Sequence, residues 1–465
     1  MIKFGTSGWR GIIGEDFTFE NVRIATQGIA NYLKKSGQKG SGVVVAYDTR
    51  FLSEKFASEA AKILAYNGLQ AFLCTRDVPT PCAAYETVRR KAMGAINFTA
   101  SHNPPEYNGL KFSTSNGAPA LPEVTQQIEA EIHDVQEKHE RLDVYEKREL
   151  IEEIDPKDRY LDGLRQKVDA DVIKKGGLRI AIDSLYGTAR DYLDYFLLEA
   201  GLEVKIIHNF RDPYFGGFSP ECNEKNLAEL RKIVGDEKFD LGLSTDGDAD
   251  RFGIVDDTGH FVPPNVVLAL LALYLKRHRN IPGGLARSVA TTHLIDAIAR
   301  KLNVPFFETP VGFKYIGELI LADKIAMGGE ESAGMSMYRH LPEKDGILAC
   351  LLVSEMVART GKKLTQLIED LYAEFGTFYN KRLDMKLTPQ LKESLASKLA
   401  NPPKQLDGLA VREVNKTDGV KLIFDDQTWL LFRLSGTEPV ARVYAEACSP
   451  KDLKNVLDAG KKFVA

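Results

Sequence analysis

Three aspartates alternate in the stretch "STDGDADRFG": Asp246, Asp248 and Asp250. Alternate side chains of an extended backbone share a face, so the spacing predicts three carboxylates pointing one way, with Gly247 allowing a tight turn. Carboxylates this close repel unless a cation holds them. An all-oxygen set suits Mg2+, which ordinarily also takes phosphate oxygens. An EF-hand is excluded, because its sixth position would be Arg251 rather than glycine and its twelfth Asp257 rather than glutamate. A second stretch, "FRLSGTEPVAR", gathers Arg433, Ser435, Gly436, Thr437 and Arg442. Guanidiniums fork onto phosphate oxygens while the N–H groups of a glycine turn complete the shell, so the set suits a phosphate dianion. No Gly-Lys-Ser/Thr follows, so it is not a Walker loop.

Weaker signals lie between these. "MGGEESAGMS" places two acids and a serine between glycines, acceptors suited to the vicinal hydroxyls of a sugar or equally to a solvated acidic turn. "ETPVGFKYIG" carries a lone Lys314 in what reads as a Pro/Gly loop. "FTASHNPPEYNGLKFS", residues 98–113, is too polar for a core strand and too broken by proline and glycine for a helix, and reads as a loop. Its Ser101 lacks the G-x-S-x-G elbow of a hydrolytic serine and is flanked by Ala100 and His102. In a chain with a carboxylate metal cluster and a phosphate cradle, such a hydroxyl suits phosphoryl transfer as donor or acceptor.

Three stretches read as strand, amphipathic helix, strand: 43–81, 178–213 and 287–312. Repeated β-α-β units predict three α/β domains with largely parallel sheets. The last ninety residues, with "VKLIFDD", "TWLLFRL" and "ARVYAEA", predict a smaller α+β unit. The highly charged run 137–160 is expected to close the first unit, and the divisions fall at 1–154, 155–257, 258–375 and 376–465.

With 465 residues, 44% hydrophobic and 27% charged, the chain is an ordinary globular one with material for three or four cores. A net charge of −4 leaves no electrostatic footprint for nucleic acid or an anionic membrane. The N-terminus lacks the apolar region of a secretory signal, and the longest apolar run, "VVLALLALYL", is half of what a membrane span requires. Five scattered cysteines without C-x-x-C spacing point to a reducing cytoplasm and buried thiols.

Taken in order, the motifs resemble the α-D-phosphohexomutases. The T-A-S-H-N-P, D-G-D-A-D-R, G-E-E-S-A and R-L-S-G-T-E-P stretches match that family's phosphoserine, metal, sugar and phosphate loops, and "FGTSGWRG" matches its opening strand. The resemblance covers essentially the whole chain. It implies a heart-shaped α/β protein of four domains around a central cleft, three of them similar and the C-terminal one a smaller α+β domain. It implies that Ser101 is the phosphorylated serine and holds Mg2+ with Asp246, Asp248 and Asp250. Lys111 matches the general acid/base, Arg10 and His102 match positions near the transferring phosphoryl group, and Arg251 matches the arginine after the metal loop. Thr309, Gly312 and Lys314 match a substrate-contacting loop, Glu330 and Ser332 the sugar-hydroxyl pair, and Arg433, Ser435, Gly436, Thr437 and Arg442 the grip on the other phosphate.

The activity so implied moves a phosphoryl group between O1 and O6 of a hexose through a 1,6-bisphosphate that reorients, with glucose 1,6-bisphosphate as activator. The sugar loop "GEESAG" is closer to the glucose-type members. Mannose use stays open because axial and equatorial O2 differ little, and glucosamine is the further alternative. The expected partners are small sugar phosphates, with neither nucleic acid nor membrane, for a monomer or homodimer. The rival readings are an Mg-dependent phosphatase, in which water takes the phosphoryl group, and a silent sugar-phosphate sensor. A sensor would be expected to lose Ser101 or the aspartates, and both are kept.

Overall fold

The run "VVVAY" forms the strand Val43–Tyr47, buried along its whole length, as β-branched side chains on both faces of a covered sheet require. It lies at the centre of a six-stranded sheet in a computed structural model that describes residues 2–5, 8–37, 39–138, 147–425, 427–434 and 440–464. Gly94–Phe98 and Ala71–Cys74 flank it in parallel, and Ile151–Ile154 extends the parallel edge. On the other side Tyr107–Thr114 and Trp9–Ile12 add antiparallel. The charged run therefore does not simply end this unit: Ile151–Ile154 returns to pair with Ala71–Cys74, exposing Glu152 and Glu153 on a sheet edge. Residues 139–146 of that run lie outside the described residues.

Each of the three repeats is a parallel β-α-β unit. Val43–Tyr47, helix Ser53–Tyr66 and Ala71–Cys74 form the first. Arg179–Asp183, helix Leu193–Glu199 and Glu203–Ile207 form the second, and Gly284–Ser288, helix Leu294–Leu302 and Phe306–Thr309 the third. The sheets are more mixed than the repeats alone suggest. In the second, Leu241–Thr245 pairs parallel with Arg179–Asp183, but Phe252–Val255 and Phe261–Val262 then add antiparallel. The turn between Leu241–Thr245 and Phe252–Val255 is too short for the crossover that a parallel pair needs.

Two compact units result, one of residues 1–264 with 332–365 and one of 265–331 with 366–465. The first holds the six-stranded and five-stranded sheets described above. Its helix Gly346–Thr360 is buried nearly all round between helix Ala170–Gly176 on one side and Leu241–Thr245 and Phe252–Val255 on the other. In the second unit, Gly284–Ser288 lies between Phe306–Thr309 and Ile325–Glu330, all parallel. The apolar run near residue 270 is the buried helix Pro264–Arg277. The C-terminal part is an antiparallel sheet in the order Tyr379–Lys386, Val440–Ala447, Trp429–Leu434, Val420–Ile423, Glu413–Asn415. Leu395, Leu399, Val456 and Leu457 of helices Pro389–Ala400 and Pro450–Val464 pack with Leu422, Leu430, Phe432 and Val443 in its core. The architecture is three α/β domains and a smaller α+β domain. Among the described residues, no helix is long and apolar enough to cross a membrane. Cys74, Cys82, Cys222 and Cys350 are buried free thiols, and Cys448 is exposed.

Candidate active site

Ser101 follows the carboxyl end of strand Gly94–Phe98, where open α/β sheets present ligand-binding loops. The loop is shorter than residues 98–113. It spans 99–106, because "YNGLKFST" forms the strand Tyr107–Thr114 and places Lys111 opposite Asn97. That strand buries both faces, so no polar alternation marks it in the sequence. Ser101 takes a left-handed backbone, φ 51°, a conformation that costs a non-glycine residue about 1–2 kcal/mol. Its N–H donates to Thr99 Oγ1 at 2.8 Å, and its Oγ donates to Asp246 Oδ2 at 2.8 Å.

The aspartate loop follows the carboxyl end of Leu241–Thr245. It is a turn and not an extended stretch, and its left-handed residue is Ala249, φ 57°, not Gly247. Gly247 is required for space instead: a Cβ there would lie 2.9 Å from both Ser101 O and Pro220 Cγ. The carboxylates converge nonetheless, because the turn curls around them. Arg251 N donates to Asp246 Oδ1 at 3.0 Å and Ala249 N to Asp246 O at 3.0 Å. One oxygen from each of Asp246, Asp248 and Asp250 lies within 4.8 Å of the others, and all three residues are buried.

Cations already answer part of this charge. Lys111 Nζ donates to Asp248 Oδ2 at 2.6 Å and to Asp250 Oδ2 at 3.1 Å, and Lys344 Nζ reaches Asp250 Oδ2 at 3.1 Å. Burial works against the Asp250 carboxylate, but Lys111, Lys344 and Arg251 outweigh it and hold its pKa well below the usual range. Asp246 moves the other way: burial, then Asp250 and Asp248, push its carboxyl well up. Asp248 Oδ1 and Asp250 Oδ1 are buried acceptors with no hydrogen-bond partner. Buried acceptors of this kind ordinarily find a partner, so the donor set fits a hard divalent cation. His102 lies beside Ser101, with Nδ1 3.4 Å from Oγ. Burial, then Arg251 and Arg10, push its pKa down, which favours the neutral ring. Arg10 Nη1 donates to Asn103 Oδ1. Ser101, His102, Arg10, Lys111, Arg251 and the three aspartates thus form one constellation in the first unit.

The second unit gathers another set. Lys314 is not in a loop: Gly312 caps helix Phe313–Leu321, and Lys314 lies in its first turn, buried. Glu330 ends strand Ile325–Glu330 and its Oε1 accepts from Gly312 N at 2.7 Å, which ties it to the segment after Thr309. Arg433 and Arg442 are cross-strand partners. Like charges so placed repel unless an anion joins them. Asp418 Oδ2 accepts from Arg433 Nη2 at 2.8 Å and from Val311 N at 3.0 Å, so it links this strand pair to the Thr309–Lys314 segment. Ser332 lies in the turn 331–333, within the first unit, where Ala333 O accepts from Phe252 N at 3.2 Å. Ser435, Gly436 and Thr437 lie outside the described residues.

Family models match in four consecutive blocks. Those described as Phosphoglucomutase/phosphomannomutase alpha/beta/alpha domains I, II and III cover residues 1–139, 158–259 and 263–375, and the C-terminal domain covers 395–460. The chain belongs to the phosphoglucomutase/phosphomannomutase family. It is 32% identical to a phosphoglucomutase/phosphomannomutase of Thermococcus kodakarensis, over 99% of this chain and 98% of that one. A phosphoglucomutase of Komagataeibacter xylinus is 30% identical over 96% and 87% of the two chains. A Thermus thermophilus structure assigned as a phosphomannomutase superposes with a TM-score of 0.88 at 35% identity, covering 100% of this chain and 99% of that one. Other relatives carry phosphoglucosamine mutase names. As a member of the phosphoglucomutase/phosphomannomutase family the chain is an isomerase that moves a phosphate within a sugar phosphate.

Several residues of this phosphohexomutase carry no mark in the sequence. Thr80 Oγ1 donates to Asp248 Oδ2 at 2.6 Å and in turn accepts from Asn97 Nδ2 at 2.9 Å. Lys344, in "PEKDG", precedes Asp345, which caps helix Gly346–Thr360 by accepting from Leu348 N at 2.9 Å. Gly346 follows because a Cβ would meet Arg251 O at 2.3 Å. The capping aspartate and glycine were the available signal, and they announce a helix start rather than a lysine on a metal site.

Proposed function

We propose that the chain interconverts hexose 1-phosphate and hexose 6-phosphate, with glucose the principal sugar and mannose or glucosamine the alternatives, through phospho-Ser101 and a 1,6-bisphosphate that reorients. The observation that carries this reading is Ser101 Oγ, 2.8 Å from the Asp246 carboxylate inside a triad flanked by Lys111. Asp246, Asp248, Asp250 and Ser101 would hold Mg2+. When bound, that ion supplies charge compensation to the transferring phosphoryl group.

The chain's own groups do the rest. The loop holds Ser101 Oγ ready to give or receive the phosphoryl group in line, which is chiefly a matter of position. Lys111 Nζ would take the proton of the attacking sugar hydroxyl as phospho-Ser101 gives up its phosphoryl group, and return that proton to the sugar oxygen that leaves when a phosphoryl group goes back to Ser101. Arg10 and Arg251 offset the charge of the phosphoryl oxygens, and His102 hydrogen-bonds them. Thr309, Gly312, Lys314, Glu330 and Ser332 orient the sugar. Arg433 and Arg442, with Ser435, Gly436 and Thr437, take the phosphate that is not being transferred. We assign the four domains to 1–154, 155–257, 258–375 and 376–465, and the free thiols favour a reducing cytoplasm.

Assays of glucose 1-phosphate, mannose 1-phosphate and glucosamine 1-phosphate side by side, each with its 1,6-bisphosphate and Mg2+, test the reading. Glucose 1-phosphate should give the highest kcat/KM. Release of inorganic phosphate at the rate of substrate loss would turn the reading to a phosphatase. Arg433→Lys keeps the charge but loses the planar fork, so KM for the sugar phosphate should rise by about tenfold or more. An unchanged KM and kcat would place the phosphate grip elsewhere.

A further inference from the structure

Strand Val43–Tyr47 leads into Asp48, Thr49 and Arg50, all fully buried. A guanidinium has five N–H donors, and those of Arg50 are all spoken for. Nε donates to Asp48 Oδ2 at 3.1 Å. Nη1 donates to Pro104 O at 2.8 Å and Tyr107 O at 3.0 Å. Nη2 donates to Ser101 O and Asn103 O, both at 2.6 Å. The ring of Phe215 covers the guanidinium with its centroid 5.0 Å away. Asp48 is held in turn, accepting from Arg50 N and Ser53 Oγ at 3.0 Å each.

Three carbonyls of the loop, and that of Tyr107 at the start of the next strand, therefore converge on one cation. Their dipoles repel one another, and a cation at their focus offsets that repulsion, beside the loop's own backbone hydrogen bonds from Asn103 N to Ala100 O at 3.0 Å and from Tyr107 N to Pro104 O at 3.1 Å. The first of the four belongs to Ser101, whose left-handed backbone persists only where its surroundings over-determine it. We propose that Arg50 is a positioning residue for phosphoryl transfer: it cross-links the carbonyls of residues 101–107 and so holds the Ser101 backbone that aims Oγ at the aspartate triad. Arg50 has no donor left for a sugar phosphate, so it acts through the loop and not by contact. This rests on the reading of Ser101 as the phosphoryl relay.

A lysine is a point charge with three donors and cannot span four carbonyls in one plane. Arg50→Lys is the test, read in four ways on the full-length enzyme with Mg2+: melting temperature, kcat, KM for glucose 1-phosphate, and the rate at which glucose 1,6-bisphosphate phosphorylates Ser101. The expected result is a folded protein whose kcat and Ser101 phosphorylation rate fall by about 10- to 100-fold while KM is unchanged, the signature of a misplaced reacting atom. A folded Arg50→Lys protein with wild-type kcat, or one whose loss lies in KM, overturns the proposal. If Arg50→Lys does not fold, Asp48→Asn, which turns an amide toward Nε and loosens one anchor, decides by the same readings. Wild-type protein that turns over sugar phosphate without ever phosphorylating Ser101 would instead sink the relay reading itself.

Discussion

Ser101→Ala should lower turnover by several orders of magnitude and leave the protein folded. The side chain loses one oxygen. With it go the atom that would carry the phosphoryl group and the hydrogen bond to Asp246 Oδ2 at 2.8 Å. Each order of magnitude corresponds to about 1.4 kcal/mol of barrier, and removal of an in-line acceptor beside a metal site is worth several such steps. The stability cost is smaller, because losing the hydroxyl partner of a buried acceptor costs about 1–3 kcal/mol. Intact-mass measurement separates a phosphoryl carrier from an ordinary turn hydroxyl. Wild-type protein should carry an addition of about 80 Da that increases on incubation with glucose 1,6-bisphosphate, and Ser101→Ala should never carry it. A Ser101→Ala protein with near-normal turnover would make Ser101 an ordinary turn residue.

Asp248→Ala should be nearly as damaging, and for a different reason. It removes one carboxylate of the triad and the partner that Lys111 Nζ holds at 2.6 Å and Thr80 Oγ1 at 2.6 Å. The developing charge on the phosphoryl group would then face an incomplete metal set, and turnover should fall by about a hundredfold or more. Chelation of divalent metal from the wild type should do the same, reversibly. A second reading does not depend on activity. A ligand that binds only the folded state raises its melting temperature, so Mg2+ should stabilise the wild type and leave Asp248→Ala unmoved. Full turnover in EDTA, or an equal thermal response in both proteins, would remove the metal from this site.

Much of this was readable before any fold was known. The β-α-β repeats announce themselves through short β-branched runs followed by 3.6-residue periodicity, a local pattern that tertiary context seldom reverses. Asp246, Asp248 and Asp250 stand out because so much like charge in so few residues needs an explanation, wherever the fold puts them. The backbone that joins them was not readable. Alternation implied an extended stretch, yet the loop turns at Ala249, and Gly247 is there for the space beside Ser101. A contact with a residue 146 positions earlier has no local signature. The same holds for Thr80 on Asp248 and Lys344 on Asp250, each brought in from a distant element. Lys314 reads as a loop residue in the sequence because Pro310 and Gly312 hide a helix that starts immediately after them.

Arg50 marks the boundary most clearly. In the sequence it is one more arginine after a strand; in the fold its charge is buried, every donor is used, and the loop that carries Ser101 is built around it. Residue type and spacing alone determined which groups could do phosphoryl chemistry, because pKa, charge and donor geometry belong to the side chain. Which of them meet, and in which backbone conformation, was decided by tertiary packing, because hydrogen bonds and ion pairs act over a few ångströms and sequence separation does not measure that distance.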